Sequence, residues 1–303
     1  MSALKRFWDS DVAWSWRHTP TAMFGTIVTL ILFIAAFGAP WVAPHNPFDL
    51  ASIDLFDALL PPAWEESGKL KYLLGTDNQG RDLFSSLLYG TRISLLIGFA
   101  SVILAMFIGI LLGLIAGYAG GRVESFIMRV ADVQLSFPAI LIALLIDGVA
   151  RAVVPQNMLD TISFPVLIGA IALAGWPQYA RTVRGSTMVE KNKEYVQAAK
   201  VIGVSGPRIM LTHVLPNVTG PVLVLATVHL ATAIITEATL SFLGVGVPPT
   251  SPSLGTLIRV GNDFLFSGEW WITIFPGVML VLLVLSVNLL GDWLRDALNP
   301  KLN

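Results

Sequence analysis

Two ionisable side chains, His229 and Glu237, lie well inside a long apolar run of this sequence. A charged group at the centre of a membrane costs about 2.5–3.5 kcal/mol on insertion scales, so such residues usually face a partner or water. Glu237 is therefore a candidate for the outer gate of a solute pathway, where its carboxylate could receive an amino group. The alternative is a hydrogen bond to a neighbouring helix or contact with the headgroups. His229 is more simply explained by helix packing.

A Gly-Trp-Pro interruption at 175–177 supplies a third candidate, Trp176. Proline inside a helix usually kinks it, and kinked helices of membrane proteins often line cavities. We therefore group Trp176 with Glu237 and His229 as candidate pathway residues.

The other patterns argue against catalysis. The sequence contains neither a Gly-x-x-x-x-Gly-Lys-Ser/Thr phosphate-binding loop nor a His-Glu-x-x-His pair. Its 4 histidines lack metal-ligand spacing, and it has no cysteine. No serine or threonine stands in a pattern that pairs it with a base. We predict no catalytic residue, no metal site and no cofactor held by this chain.

Composition indicates a membrane protein. Of the 303 residues, 54% are hydrophobic and only 13% are charged, with a mean hydropathy of +0.71. A soluble domain usually carries about a quarter charged residues. The net charge of −1 excludes nucleic-acid binding driven by overall basicity. No cleavable signal peptide is apparent, because no small-residue cleavage site closely follows the first apolar run.

Several apolar runs are long enough to cross a bilayer, which takes about 20 residues in a helix. We predict an all-α polytopic membrane protein with six transmembrane helices. The expected spans are 22–42, 93–118, one that enters near 129 and ends near 146, 164–183, 217–242 and 271–290.

Charge sets the expected orientation. With six spans, both termini share one side of the membrane with the 118–129 and 181–215 connections. That side carries thirteen of the 19 lysines and arginines, and the other side carries six. The positive-inside rule therefore places both termini and the 190–216 loop in the cytoplasm.

The 190–216 segment is the most polar stretch of any length in the second half of the chain. Tyr195, Ala199 and Ile202 stand at i, i+4 and i+7, which predicts one apolar stripe on a short helix. Gly203 follows, where a helix favours a left-handed terminal residue. Pro207 suits the first turn of a second short helix, and Pro216 either ends that helix or opens the next span.

This segment resembles the EAA loop of ATP-binding-cassette importer permeases. The family pattern is Glu-Ala-Ala, three residues, Gly, nine residues, Ile, any residue and Leu-Pro, and every spacing matches. Gln197 stands in place of the Glu and His213 in place of the Ile, so the charge of the Glu is lost. The residues that the resemblance assigns to coupling with an ATPase are Glu194, Tyr195, Gln197, Ala198, Ala199, Gly203, Arg208, Leu215 and Pro216.

A second motif lies at residues 74–82 and reads Leu-Gly-Thr-Asp-Asn-Gln-Gly-Arg-Asp. It resembles an outer-loop motif of the C-type permease in the dipeptide and oligopeptide importer branch. Glu237, which precedes Leu-Ser-Phe-Leu-Gly at 240–244, resembles a separate pattern of the same permease. Physically, Thr76 and Gln79 have the spacing of a capping box, and Asp77 and Arg81 that of an i,i+4 ion pair. The motif residues are Gly75, Thr76, Asp77, Gly80, Arg81 and Asp82.

The resemblance divides the chain into four parts. They are a cytoplasmic or interfacial segment 1–21, a first transmembrane helix 22–44, an extracytoplasmic loop 45–91 and a permease core 92–303. Within the core, Gly109, Gly113 and Gly117 predict a close helix contact inside the protein. Arg129 and Asp132, three apart on one helix, predict an ion pair near the membrane face.

The resemblance also implies function and partners. It implies a permease subunit of an importer for peptides in the bacterial cytoplasmic membrane, surrounded by lipid. Expected partners are a second, homologous permease subunit, two ATPase subunits that bind ATP and Mg, and an extracytoplasmic solute-binding protein. Another cargo of the same branch, such as a nickel complex, glutathione or an opine-like solute, is the alternative. An ion-coupled secondary transporter is a further alternative, although neither inverted repeats nor charged groups near the midplane are clear.

Overall fold

A computed structural model describes residues 11–49, 53–155, 158–248 and 250–297. Within these ranges the chain is helical, and the only strand-like pairing is an isolated bridge between Thr76 and Asp82. The α-helices are α1 Asp11–His18, α2 Pro20–Phe37, α3 Ala39–Val42, α4 Leu83–Ala119, α5 Gly121–Leu135, α6 Ala139–Val153, α7 Leu159–Glu190, α8 Glu194–Val201, α9 Gly206–Ile209, α10 Leu215–Phe242, α11 Leu254–Phe264 and α12 Trp271–Ala297.

Five helical segments in the described ranges are long and apolar enough to cross a membrane: α2, α4, α7, the α9–α10 unit and α12. A sixth crossing exists if α5 and α6, which meet at a 93° bend, form one broken span. The contacts of α4 with α7 favour this count, since Gly109 lies against Tyr179 and Gly117 against Thr187. The two helices therefore run parallel, and the chain between them has to return across the molecule.

The glycine stripe of α4 packs inside the protein, as predicted. A Cβ at Gly113 would lie 2.7 Å from the carbonyl oxygen of Ala180 and from Cβ of Val183. Real Cβ atoms do not approach other atoms this closely, so glycine is what lets the α4 and α7 backbones touch.

Helix α10 runs antiparallel to α4, and α12 runs antiparallel to α10. Gly98 of α4 lies against Ile234, and Gly291 of α12 lies against Thr227. The indole of Trp293 donates to the Ser15 hydroxyl at 3.4 Å, which brings α1 to the far end of α12. The first and last described helices therefore lie at the same end of the bundle.

Several predicted boundaries were wrong. Helix α4 begins at Leu83, before the expected start at 93, so the loop after the first span is shorter than 45–91. The first span ends at Phe37, because the chain turns at Gly38 before the short helix α3. Helix α12 continues through the expected tail to Ala297. Helix α7 continues through Pro177, so the interruption at 175–177 does not divide it into two helices.

The ion pair expected within α5 does not form. Asp132 instead pairs with Arg181 of α7, and Glu124 pairs with Arg184 of the same helix. Arginines of a packed neighbouring helix reach these carboxylates, so the pairs join two helices instead of stabilising one.

Helix α11 lies between the fifth and sixth predicted spans, in a region of the sequence rich in Pro, Gly and Ser, and no helix was predicted there. The Ser253 hydroxyl caps α11 by accepting from the Thr256 amide at 3.4 Å. Helix α11 presses so closely on α10 that a Cβ at Gly255 would lie 2.2 Å from the Ala238 carbonyl oxygen.

Candidate functional site

Helix α8 and the corner after it are built by local sequence. The Glu194 carboxylate lies in the first turn of α8, where the helix dipole favours negative charge. At the other end, Gly203 has a φ of +81°. The Gly203 amide donates to the Lys200 carbonyl at 3.0 Å and the Val204 amide to the Ala199 carbonyl at 3.0 Å. These two bonds form a Schellman motif, which confirms the predicted glycine corner.

The apolar stripe of α8 differs from the predicted one. Val196 and Ala199 are buried, whereas Tyr195 is 40% and Ile202 is 78% exposed. The inward face is thus set by an i, i+3 pair, and Ile202 lies beyond the last helical turn, where the chain has already changed direction. Ala198 points away from the bundle and is exposed.

The corner is attached to the end of α4. The Lys191 ammonium donates to the Gly117 carbonyl at 2.6 Å. The Lys200 ammonium lies 5.6 Å from the centre of the Tyr118 ring, and a Cβ at Gly206 would lie 3.2 Å from the same ring. Helices α8 and α9 are therefore held against the last turn of α4.

Tyr195 joins three elements. Its hydroxyl donates to the Glu190 carboxylate at the end of α7 and accepts from the Asn217 amide of α10 at 3.1 Å. Glu190 also pairs with Lys193 at 2.9 Å. Burial and the hydrogen bond to Glu190 raise the pKa of Tyr195 to about 12. Sequence reasoning named Tyr195 but missed Glu190 and Asn217, which stand just outside the motif.

Gln197 has an internal partner. Its side-chain amide donates to the Lys191 carbonyl at 2.9 Å, across the turn that enters α8. A glutamate carboxylate has no hydrogen to donate in this position. The departure from the EAA pattern is therefore matched by a contact that needs an amide.

Helix α9 is not a separate short helix. It continues through a π-helical segment, Met210–Val214, directly into α10. Leu215 and Pro216 are the first two residues of α10 and directly follow the π-helical segment. One continuous helical unit, Gly206–Phe242, thus connects the corner to the middle of the bundle.

The surface around the corner is apolar and open in this chain. Val201 is 86% exposed and Leu211 is 61% exposed, beside the exposed Arg208. Exposed apolar patches with polar rims are typical of protein interfaces.

A groove with a volume of about 70 Å³ lies between α4, α7 and α10, and α6 adds Ala139 to its wall. His229 contributes to its wall, and an imidazole nitrogen, Nε2, lies 2.6 Å from the Gln178 amide oxygen. His229 also packs edge-to-face on Tyr179. The lining residues are Ser101, Val102, Ala105, Ala139, Ile171, Ala174, Gly175, Gln178, His229, Thr232, Ala233 and Thr236.

The other two candidate pathway residues lie outside this groove. The Trp176 ring is buried, and its indole donates to the Gln134 amide oxygen of α5 at 2.9 Å. The Glu237 carboxylate is fully buried and accepts from the Ser94 and Ser241 hydroxyls at 2.7 Å each. Its position corresponds to the second interpretation, a hydrogen bond to a neighbouring helix.

The outer-loop motif forms a buried turn. The Arg81 guanidinium donates to the Asp77 carboxylate at 2.6 Å, and both side chains are almost fully buried. The motif does not use its capping-box spacing. The Thr76 hydroxyl donates to the Asp57 carbonyl at 2.6 Å, and Asp82 caps α4 by accepting from the Ser85 amide.

Two glycines make this turn possible. Gly75 and Gly80 have φ of +83° and +76°. A Cβ at Gly80 would lie 2.2 Å from the Asp54 carbonyl oxygen. The motif is therefore a close backbone contact that fixes the outer loop on the start of α4.

Asp57 holds the outer loop together beside this turn. It pairs with Lys69 and, at 3.6 Å, with Lys71, and it accepts from the Tyr72 hydroxyl at 3.0 Å. The hydrogen bond from Lys69 is the main reason that the pKa of Asp57 is lowered, against the opposing effect of burial.

Two family models match the sequence. One is described as the binding-protein-dependent transport system inner membrane component and covers residues 109–303. The other is described as the N-terminal TM domain of oligopeptide transport permease C and covers residues 6–62. Together they include the glycine stripe, the corner, the first span and the groove residues of α7 and α10.

Curated relatives align along almost the entire chain. The di/tripeptide transport system permease protein DppC of Pseudomonas aeruginosa is 41% identical, over 99% of this chain and 93% of its own length. The dipeptide transport system permease protein DppC of Haemophilus influenzae is 39% identical, over 99% and 95%. The Escherichia coli protein of that name is 40% identical, over 100% and 94%.

Among solved structures, an inward-facing form of the MetNI methionine ABC transporter has the same fold. The TM-score is 0.55 at 20% identity, over 72% of this chain and 98% of the matched chain. A second crystal form gives a TM-score of 0.54 at 18% identity, over 71% and 96%.

Proposed function

Because this chain belongs to the family of binding-protein-dependent transport system inner membrane components, we propose that it is a permease subunit of an ATP-driven importer for peptides. The observation that carries the proposal is the near full-length similarity to di- and tripeptide permeases. The chain is a polytopic membrane protein, and its cargo crosses the bacterial cytoplasmic membrane.

The proposed importer has four other subunits. A second, homologous permease subunit closes the open side of the groove and makes a path wide enough for a peptide. Two ATPase subunits bind ATP and Mg, since this sequence contains no phosphate-binding loop. An extracytoplasmic binding protein delivers the peptide.

The corner formed by α8 and α9 is the proposed ATPase contact, and it lies in the cytoplasm with both termini. Three observations support this: the EAA spacing, the exposed apolar residues Val201, Ile202 and Leu211, and the excess of basic residues on this side. Ala198, which is exposed on α8, is small enough to allow a partner to approach closely.

The proposal is tested by reconstituting the chain in proteoliposomes with the second permease, the ATPases and the binding protein that its neighbouring genes encode. We expect uptake of labelled di- and tripeptides that requires both ATP and the binding protein. A matched preparation with a catalytically inactive ATPase should take up none. Uptake of a nickel complex or glutathione without peptide uptake would show that the cargo is that solute and not a peptide. Proton-driven uptake without ATPases would refute the proposal.

A further inference from the structure

The groove between α4, α7 and α10 is lined by uncharged residues. Among the described residues that line it there is no Asp, Glu, Lys or Arg, and His229 is the only ionisable one. The wall consists of small apolar residues and of hydroxyl, amide and imidazole groups. A solute in this groove therefore meets hydrogen-bonding groups and no fixed charge.

One polar group in the wall is left without a partner. Ser101 is 1% exposed, and its hydroxyl has no hydrogen-bond partner among the described residues. It lines the groove together with His229, Thr232 and Thr236 of α10. A buried, unpaired hydroxyl costs free energy unless a ligand or water satisfies it.

The facing residues leave acceptor and donor sites open. The Thr232 and Thr236 hydroxyls donate to carbonyls one turn earlier in α10, at 3.3 and 2.8 Å. Their oxygens can still accept a hydrogen bond. The Gln178 side chain uses its oxygen toward His229, and its two amide hydrogens have no described partner.

The groove residues of α10 lie near the middle of that helix. His229 stands 14 residues after Leu215 and 13 before Phe242, so it is about 20 Å from either end of α10 at 1.5 Å per residue. His229, Thr232 and Thr236 share one face of that helix. A solute at this depth exchanges its water for the groups of the wall.

We propose that this groove binds the main chain of the transported peptide through the neutral groups of Ser101, Gln178, His229, Thr232 and Thr236. Amide N–H and C=O groups are the chemistry that every peptide shares, and the wall presents both acceptors and donors to them. A fixed charge would favour cargo of the opposite sign, whereas this wall passes acidic and basic side chains alike. The inference rests on the proposed function and specifies the groove's part in it.

Thr232 is the position for the test, because it lines the groove and is exposed in this chain. The reconstituted importer is prepared with Thr232→Glu, Thr232→Lys and, as a neutral control of matched size, Thr232→Gln. Maximal uptake rates are compared for Ala-Glu-Ala, Ala-Gln-Ala and Ala-Lys-Ala, with the binding protein saturated by each peptide. ATP hydrolysis reports whether each variant is folded and assembled.

In wild type and in Thr232→Gln, the three peptides should be taken up at similar rates. Thr232→Glu should slow the acidic peptide relative to the basic one by about fivefold, and Thr232→Lys should reverse that preference. Unchanged rate ratios in both charged variants, with normal ATP hydrolysis, would overturn the inference. If wild type takes up no peptide at all, it is the proposed function that fails.

A second measurement asks what fills the groove. The chain has no cysteine, so Thr232→Cys introduces a unique thiol for maleimide labelling. The inference is supported if the thiol is labelled in the absence of peptide and if transported peptide blocks that labelling. Labelling that is blocked in every nucleotide state without peptide would mean that the second permease subunit fills the groove, and it would overturn the inference.

Discussion

Replacement of Gly203 tests whether the corner transmits ATP-driven motion. Its φ of +81° is in the left-handed region, and a Cβ placed there would meet no atom within 4 Å. A side chain is therefore excluded by backbone conformation alone and not by crowding. For a residue other than glycine this conformation costs about 1–2 kcal/mol, with Asn and Asp at the low end.

The cost has a direct structural consequence. If the backbone escapes the strain by leaving the left-handed region, the two amide hydrogen bonds of the Schellman motif are lost. Each is worth about 0.5–1.5 kcal/mol. A β-branched residue adopts positive φ least readily. It should therefore destabilise the native conformation of the corner by about 2 kcal/mol, which lowers the population of that conformation roughly thirtyfold.

The assay is the number of ATP molecules hydrolysed per peptide taken up by the reconstituted importer. We expect this ratio to rise in the order Gly203, Gly203→Asn, Gly203→Ala and Gly203→Val, with all proteins present in the membrane. Gly203→Asp should fall near Gly203→Asn, with an added effect of its charge. Gly185→Ala is the matched control, because Gly185 is equally uncrowded but helical in α7.

A Gly203→Val importer that couples normally would refute the reasoning, since the strain would then have no functional consequence. An order in which Asn is worse than Val would also refute it. Side-chain polarity would then matter more than the backbone conformation.

Four further outcomes can be measured. Tyr195→Phe removes a hydroxyl bonded to a carboxylate, worth about 1.5–3 kcal/mol before solvent screening, and should raise the ATP used per peptide without reducing expression. Gly113→Val overfills the α4–α7 contact and should destabilise by about 1–3 kcal/mol in thermal unfolding, whereas Gly169→Ala, at an open position, should not. Glu237→Gln should preserve transport and stability, while Glu237→Ala should lower thermal stability by leaving two buried hydroxyls unpaired. Asp57, whose pKa is lowered, stabilises the outer loop above its unfolded value of 3.8, so proteolytic protection of that loop should decline as pH falls below about 4, and Asp57→Asn should remove this dependence.

Features that depend on short-range backbone chemistry could be predicted from the sequence. The corner at Gly203 follows from a glycine placed directly after a short amphipathic helix. A close contact of α4 with another helix follows from three glycines at four-residue spacing, because only glycine allows such a close approach. Both predictions were correct in place, although the sequence did not identify α7 as the partner of α4.

Features that depend on a distant partner could not be predicted in this way. Asp132 and Arg129 have helical ion-pair spacing, yet Arg181 of another helix takes Asp132. Thr76 has capping-box spacing, yet its hydroxyl bonds Asp57 far earlier in the chain. Local spacing makes a contact possible. Tertiary packing determines whether a residue from another part of the chain binds the same side chain instead.

The residues that line the groove could not be identified from the sequence for the same reason. Ser101 and Gln178 carry no sequence motif, and each becomes noticeable only where α4, α7 and α10 meet. Glu237, by contrast, attracted attention as a carboxylate in an apolar run, and it lies between Ser94 and Ser241 inside the bundle. An ionisable residue in a membrane helix predicts a polar partner, but that partner can be a side chain of the same protein and not a transported solute.

The continuity of the Gly206–Phe242 helical unit is what connects the corner to the groove. Had Pro216 ended a short helix, as one interpretation of the sequence allowed, a hinge there could have absorbed any displacement of the corner. A continuous helix instead transmits a tilt along its length, and His229 lies about 20 Å beyond its junction with the π-helical segment. Tyr195, in the first turn of α8, connects the end of α7 to the start of α10 through its hydrogen bonds. Helices α7 and α10 form two walls of the groove, and we expect them to be displaced together. Movement of the proposed ATPase contact should therefore displace these two walls as one unit, without local unfolding.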